Sequence, residues 1–222
     1  VLLLNTGRPL IFNWAADNIP AILYTWWLGT EAGNSIADVV FGDYNPAGKL
    51  PMSFPRTEGQ IPIYYNHYST GRPAKDENDK NYVSAYIDLQ NSPRFPFGYG
   101  LSYTNFNISD LKLSSTELAI NGGKLTVTVD VENTGDYDGE EVVQLYVRDL
   151  YGCVVRPVKE LKGFKKLFLK KGETQSVSFT LTATDLKFYN DEVKLINEAG
   201  DYELFVGNSS DANLKSKFKL TL

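Results

Sequence analysis

The chain is rich in carboxylates and poor in the other groups that commonly carry out chemistry. It contains 27 aspartates and glutamates, but one histidine, His67, and one cysteine, Cys153. A single cysteine excludes an internal disulfide, and one cysteine with one histidine in separate segments argues against a zinc site or a Cys/His dyad. We therefore expect chemistry based on carboxylates, hydroxyls and aromatic rings, with no metal ion and no cofactor.

The carboxylate in the most favourable position is Glu31, in the sequence "WWLGTEAG". It follows a predicted strand and opens a predicted helix, at the sheet edge where α/β folds bind ligands. The alternative, which we favour, is a helix-start charge that interacts with backbone N–H groups. Glu31 is therefore a candidate for the wall of a substrate-binding cleft and not for catalysis.

Two aromatic residues and the histidine also have both a functional and a structural interpretation. Trp26 and Trp27 offer indole faces on which a sugar ring can stack, but tryptophans at a strand end more often pack in a core or between domains. Packing is favoured, and Trp26 is kept with Glu31 as a substrate-binding candidate. His67 has no acidic neighbour in the sequence, which favours a structural histidine over a general base.

Charge and hydropathy exclude several classes of partner. The net charge is -5 and the lysines are spread among acidic residues, so no nucleic-acid partner is expected. No apolar run reaches the roughly 18–20 residues that span a bilayer, so no membrane partner is expected either. Because the chain opens directly in the apolar "VLLLN" without a methionine, we expect a piece of a longer protein.

The first 55 residues have the pattern of an α/β fold. The runs "VLLLN", "LIFNW" and "AILYTWW" are continuously apolar, which suits strands covered on both faces, although a buried helix gives the same pattern. A helix is predicted over "EAGNSIADVVFG", capped by Thr30 and ended by Gly42. With a further predicted strand at "KLPMSF", this amounts to about one and a half α/β units, too few for an independent sheet.

Residues 108–222 show strict alternation instead. In "KLTVTVDVEN" the apolar residues Leu125, Val127, Val129 and Val131 alternate with polar ones, and four later segments repeat the pattern between turn signals. This spacing predicts an immunoglobulin-like β-sandwich of about seven strands.

Residues 56–107 form the segment that we call the strap. It contains "RFPFGYGLSYTNF", in which glycines permit sharp bends and Pro96 fixes one dihedral angle. We interpret Phe95, Phe97, Tyr99 and Tyr103 as side chains that dock the strap between the two regions, with Phe106 leading into the first strand of the sandwich. A sugar-binding platform is the alternative.

Four phrases, "GDYNPAGKLPMSFP", "IPIYYNHYSTGRP", "FPFGYGLSYTNF" and "RPVKELKGF", occur in this order. Together they resemble the C-terminal part of glycoside hydrolase family 3, most closely the bacterial periplasmic β-glucosidases, from Val1 to Leu222. The resemblance implies a fold that is mainly β: residues 1–55 as the end of an α/β sandwich domain, 56–107 as an aromatic linker, and 108–222 as a fibronectin type III-like β-sandwich. In "RPVKELKGF", Arg156 and Lys159 either face the catalytic domains or lie in a solvated loop.

The resemblance also implies what the chain does. The parent enzyme would remove terminal β-D-glucosyl residues from β-glucosides or oligosaccharides with retention, in the periplasm or outside the cell. The catalytic aspartate and the acid/base glutamate of that family lie upstream, so no catalytic residue is expected here, and the upstream catalytic domains are the expected partners. The alternatives are a carbohydrate-binding module and an oligomerisation module that forms a homodimer.

Overall fold

The computed structural model describes residues 1–222. A small α/β unit comes first, the strap follows with little regular structure, and a β-sandwich begins at Phe106. Two short 3-10 turns cover Glu58–Gln60 and Ala183–Leu186. The helices are α1 (Asn13–Asn18) and α2 (Ala32–Phe41), and the strands are β1 (Leu2–Leu4), β2 (Ile22–Tyr24), β3 (Phe106–Leu113), β4 (Glu117–Ala119), β5 (Lys124–Asn133), β6 (Gly139–Asp149), β7 (Glu160–Leu169), β8 (Thr174–Thr182), β9 (Phe188–Tyr189), β10 (Leu195–Ile196), β11 (Gly200–Gly207) and β12 (Leu214–Thr221).

The α/β unit is a single parallel pair of strands with two helices. Strands β1 and β2 pair in parallel, and α2 ends at Gly42, whose φ of 89° lies in the left-handed region that glycine favours. The predicted Thr30 cap is wrong, because Glu31 occupies the N-cap position and makes no capping hydrogen bond. Its carboxylate instead accepts a hydrogen bond of 2.6 Å from the Asn34 amide.

The predicted strand "KLPMSF" is also wrong. Leu50 and Phe54 do exchange backbone hydrogen bonds with the strap, but only Phe54 and Phe95 form a β-bridge. Pro51 and Pro96 lack the N–H group that a continuous ladder requires, so the two segments lie side by side without becoming a sheet. The apolar run "LIFNW" is not a strand either, and it leads into α1 at Asn13.

The alternating segments form the predicted sandwich. One sheet has the strand order β4-β12-β11-β6-β7, and the other has the order β3-β5-β8. The four apolar residues predicted to share one face of β5 are fully buried in a core of 19 side chains. That core lies between the sheets, and the first strand starts at Phe106, two residues before the predicted boundary of the sandwich.

The strap is docked by its aromatic residues, as predicted. The Phe97 ring stacks on Tyr65 with centroids 4.4 Å apart, and Tyr65 in turn meets Tyr146 of β6 at 5.7 Å. Gly98, with φ of 79°, lies so close to Gln144 that a Cβ atom there would be 2.2 Å from the Gln144 Oε1 atom. The backbone of the strap therefore follows a defined path and packs against the sandwich.

Candidate functional site

The loop between β2 and α2 carries the two sequence-predicted binding residues, Trp26 and Glu31. Trp26 has a φ of 56°, which is unusual for a bulky residue and marks a constrained backbone. Its ring packs edge-on against Tyr24 and Phe54, at centroid distances of 4.9 and 5.9 Å. The geometry gives Trp26 a packing role, and its proposed contact with substrate stays a prediction.

The neighbouring Trp27 is the open aromatic face at this edge. Its side chain is 79% exposed, and its indole covers Gly7, where a Cβ atom would lie 3.5 Å from the ring. Glu31 is also exposed, and its carboxylate is hydrogen-bonded only to the Asn34 side chain. An indole face and a carboxylate on one loop can stack on a sugar ring and accept a hydrogen bond from a sugar hydroxyl.

An ion pair that sequence reasoning missed joins the α/β unit to the sandwich. The Lys49 ammonium lies 2.7 Å from the Glu141 carboxylate and also donates to the Gly100 carbonyl at 2.8 Å. The Lys49 and Glu141 side chains are 12% and 4% exposed, and the Asn208 side chain donates a further hydrogen bond to Glu141. A buried pair satisfied by extra hydrogen bonds fixes the relative position of the elements that carry it. Lys49 looks ordinary in "AGKLP", so the sequence offered no signal.

A second polar junction lies at the end of α2. The Tyr44 hydroxyl donates to Glu140 at 2.8 Å, and the Lys166 ammonium lies 2.6 Å from the same carboxylate oxygen. The hydrogen bond from Lys166 lowers the pKa of Glu140, and the same bond raises the pKa of Lys166. The hydrogen bond to Glu140 raises the pKa of Tyr44. These groups line a cleft of about 440 Å³ between the two units.

The remaining candidate residues have structural contacts. The His67 Nδ1 atom lies 3.0 Å from the Tyr68 carbonyl, and the His67 carbonyl accepts a bond from Val158. Cys153 is exposed, and its partial desolvation, with the nearby Glu198 carboxylate, raises the pKa of its thiol. A raised pKa keeps the thiol in its protonated, unreactive form.

Arg156 and Lys159 both turn inward to their own domain. Arg156 lies within 3.6 Å of Asp149 and 3.0 Å of Glu160, and its guanidinium stacks over a phenylalanine ring. Lys159 donates to the Ser210 carbonyl, and burial lowers the pKa of its ammonium group. These contacts contradict the solvated-loop alternative for "RPVKELKGF", and an interface with the catalytic domains stays a prediction. No three acidic, histidine or cysteine side chains are clustered for a metal ion, and neither helix has the length and apolarity to span a membrane.

Two family models match this chain. The "Glycosyl hydrolase family 3 C-terminal domain" matches residues 1–103, and the "Fibronectin type III-like domain" matches residues 141–210. The fold and these matches define the class: a fibronectin-like module attached to the end of an α/β domain of a glycoside hydrolase. The chain belongs to glycosyl hydrolase family 3 and corresponds to its C-terminal portion.

Individual relatives agree over the whole chain. The periplasmic beta-glucosidase of Salmonella typhimurium is 50% identical over 99% of the chain, and a beta-xylosidase of Formosa agariphila is 46% identical over all of it. The crystal structure of a beta-glucosidase from Listeria innocua in complex with isofagomine superposes with a TM-score of 0.93, at 44% identity over 99% of the chain. The chain spans 29%, 30% and 31% of the length of these three proteins.

Proposed function

We propose that this chain acts as the C-terminal brace of a retaining β-glucosidase and is inactive by itself. The observation that carries the proposal is the double junction formed by Lys49 with Glu141 and by the strap with the outer face of β6. These contacts hold the α/β unit in one position relative to the sandwich. The named relatives include two beta-glucosidases and a beta-xylosidase, and the one with the highest quoted identity is a beta-glucosidase.

The open surface of the α/β unit supports the expected upstream partner. Strands β1 and β2 pair only with each other, and neither contains a buried residue. Parallel sheets in stable domains have more strands and are covered on both faces. The α/β unit also exposes large apolar side chains, including Val1, Trp14, Trp27 and Phe41, which are 73–82% exposed. Upstream catalytic domains would cover this surface, and a second copy of the chain is the competing occupant.

Catalysis would then belong to those upstream domains. A retaining glycosidase needs two carboxylates about 5–5.5 Å apart on either side of the scissile bond. The β2–α2 loop presents one carboxylate, Glu31, whose hydrogen-bonding partner is an amide. Glu31, Trp26 and the exposed Trp27 are therefore proposed to shape the edge of a cleft that the upstream domains complete. The name of the Salmonella relative supports a periplasmic or secreted location.

The test measures hydrolysis of an aryl β-glucoside by the 222-residue chain, alone and co-expressed with the upstream part of its parent enzyme. The chain alone should show no turnover, and co-expression should restore it. Lys49→Met should reduce the restored activity, whereas Lys75→Met, at an exposed position in the strap, should not. Substantial turnover by the chain alone would contradict the proposal, and so would equal activities of the two variants.

A further inference from the structure

The cleft between α2 and the sandwich contains neither of the binding residues predicted from the sequence, and the bracing role does not require it. Both units contribute to its walls: Asp43 and Tyr44 follow α2, whereas Glu140, Lys166 and Phe168 belong to β6 and β7. Its volume of about 440 Å³ falls within the roughly 300–1,000 Å³ typical of small-molecule sites. The cleft is thus large enough for a small ligand and exists only when the two units are joined.

One wall of the cleft is an aromatic ring. Phe168 is 52% exposed and lies directly opposite Glu140 in the β6–β7 register. An aromatic ring beside a carboxylate offers an apolar face and a hydrogen-bond acceptor to the same ligand. Phe164 lies four residues before Phe168 in the same strand, is 65% exposed, and is outside the cleft. The strand therefore supplies its own control for the effect of an exposed phenylalanine.

The polar groups of the cleft retain acceptor capacity. Tyr44 and Lys166 both bond to the Oε2 atom of Glu140, and the Lys171 N–H donates to the Oδ1 atom of Asp138. The Oε1 atom of Glu140, the Oδ2 atom of Asp138 and both oxygens of Asp43 have no protein donor. Lys166 supplies a cationic donor among these acceptors. A ligand that carries several hydroxyl groups can donate to the free oxygens and accept from the ammonium.

The charge of the lining excludes other ligand classes. Three carboxylates against one ammonium disfavour an anion. A metal ion would need carboxylates that converge on one point, and no group of three acidic side chains does so here. We propose that this cleft is a saccharide-binding site, in which Phe168 stacks on a pyranose ring while Asp43, Asp138 and Glu140 accept hydrogen bonds from its hydroxyls. This goes beyond the brace, which needs no ligand.

The experiment titrates the isotopically labelled 222-residue chain with cellobiose and with laminaribiose and follows its backbone amide resonances. Saturable shifts are expected at Asp43–Asn45 and at Asp138–Glu140. Phe168→Ala should weaken binding about tenfold, as expected for loss of an aromatic contact, and Phe164→Ala should leave it unchanged. Asp43→Asn, at an exposed position that makes no hydrogen bond in the structure, should weaken binding without affecting the fold. It therefore keeps the test valid if Phe168→Ala does not fold.

Several results would overturn the proposal that this cleft binds a saccharide. These are no saturable shift with either disaccharide, saturable shifts only at other amides, or equal weakening by Phe168→Ala and Phe164→Ala. A titration with calcium chloride that shifts the cleft amides when neither disaccharide does would also overturn it. No turnover is measured, so the result is separate from that of the hydrolysis assay: the brace can fail while the cleft binds sugar, and the reverse.

Discussion

The α/β unit and the sandwich have comparably apolar strands but bury them very differently. In β5 the four apolar residues of the inner face are fully buried, whereas β1, β2, α1 and α2 contain no buried residue at all. The sandwich has enough strands to cover one sheet with another, and the α/β unit has two. Apolar sequence therefore predicts a core only where the chain also supplies the opposing layer.

The largest difference should appear when matched leucines are truncated in the two regions. Leu204 is fully buried in the sandwich core, and Leu28 is 43% exposed after β2. Leu204→Ala should lower the free energy of unfolding by about 4 kcal/mol through lost burial and a cavity, and Leu28→Ala by less than about 1 kcal/mol. Urea denaturation of both variants checks this. Similar losses would mean that the α/β unit is packed as tightly as the sandwich.

A somewhat smaller effect is expected in the strap, which links the two regions. Phe97→Ala removes the stack on Tyr65 and should cost about 3 kcal/mol, lowering the melting temperature by several degrees. Leu101→Ala, at a position 74% exposed in the same segment, is the control and should leave the temperature nearly unchanged. An unchanged melting curve for Phe97→Ala would instead favour the interpretation of the strap as a sugar-binding platform.

Two glycines separate backbone conformation from close packing. Gly98 and Gly172 both have positive φ, 79° and 73°, but only at Gly98 would a Cβ atom meet a neighbour. Gly172→Ala should cost about 1 kcal/mol for the left-handed backbone alone. Gly98→Ala should cost about 2 kcal/mol more, because Gln144 must move. Equal midpoints of thermal unfolding for the two variants would show that the strap accommodates a Cβ atom at Gly98 without a further loss of stability.

The smallest effect is expected at the Tyr44–Glu140–Lys166 junction. The lowered pKa of Glu140 means that its contribution to stability is present above the unfolded-state pKa of about 4.3 and is lost as the pH falls through the folded-state value. Lys166→Gln should therefore cost less than about 1 kcal/mol at pH ~7 and nothing near pH ~2, where Glu140 is protonated in both states. Denaturant midpoints at the two pH values measure this. A cost that persists in acid would assign the effect to packing of the lysine stem.

Sequence reasoning succeeded where local pattern alone decides the structure. Alternation located β5 residue by residue, and the aromatic residues of the strap predicted its docking and placed the first strand of the sandwich to within two residues. It failed at "KLPMSF", where prolines on two distant segments jointly prevent a ladder. It also missed the pair of Lys49 with Glu141 and the cleft at Phe168, because both depend on which residues the tertiary fold brings together. The proposed roles of Trp26 and Glu31 at the edge of a cleft stay predictions.

The packing of the strap on β6 has a consequence for anyone who wishes to excise the sandwich. The sandwich also contacts residues that precede its first strand. Gln144 donates a hydrogen bond to the Gly98 carbonyl, and the Tyr146 ring packs against Tyr65. A fragment cut at Phe106 would carry every strand of the sandwich and yet expose to solvent the sides of Gln144 and Tyr146 that the strap covers. A fragment that keeps both contacts has to begin no later than Tyr65, about forty residues before the first strand.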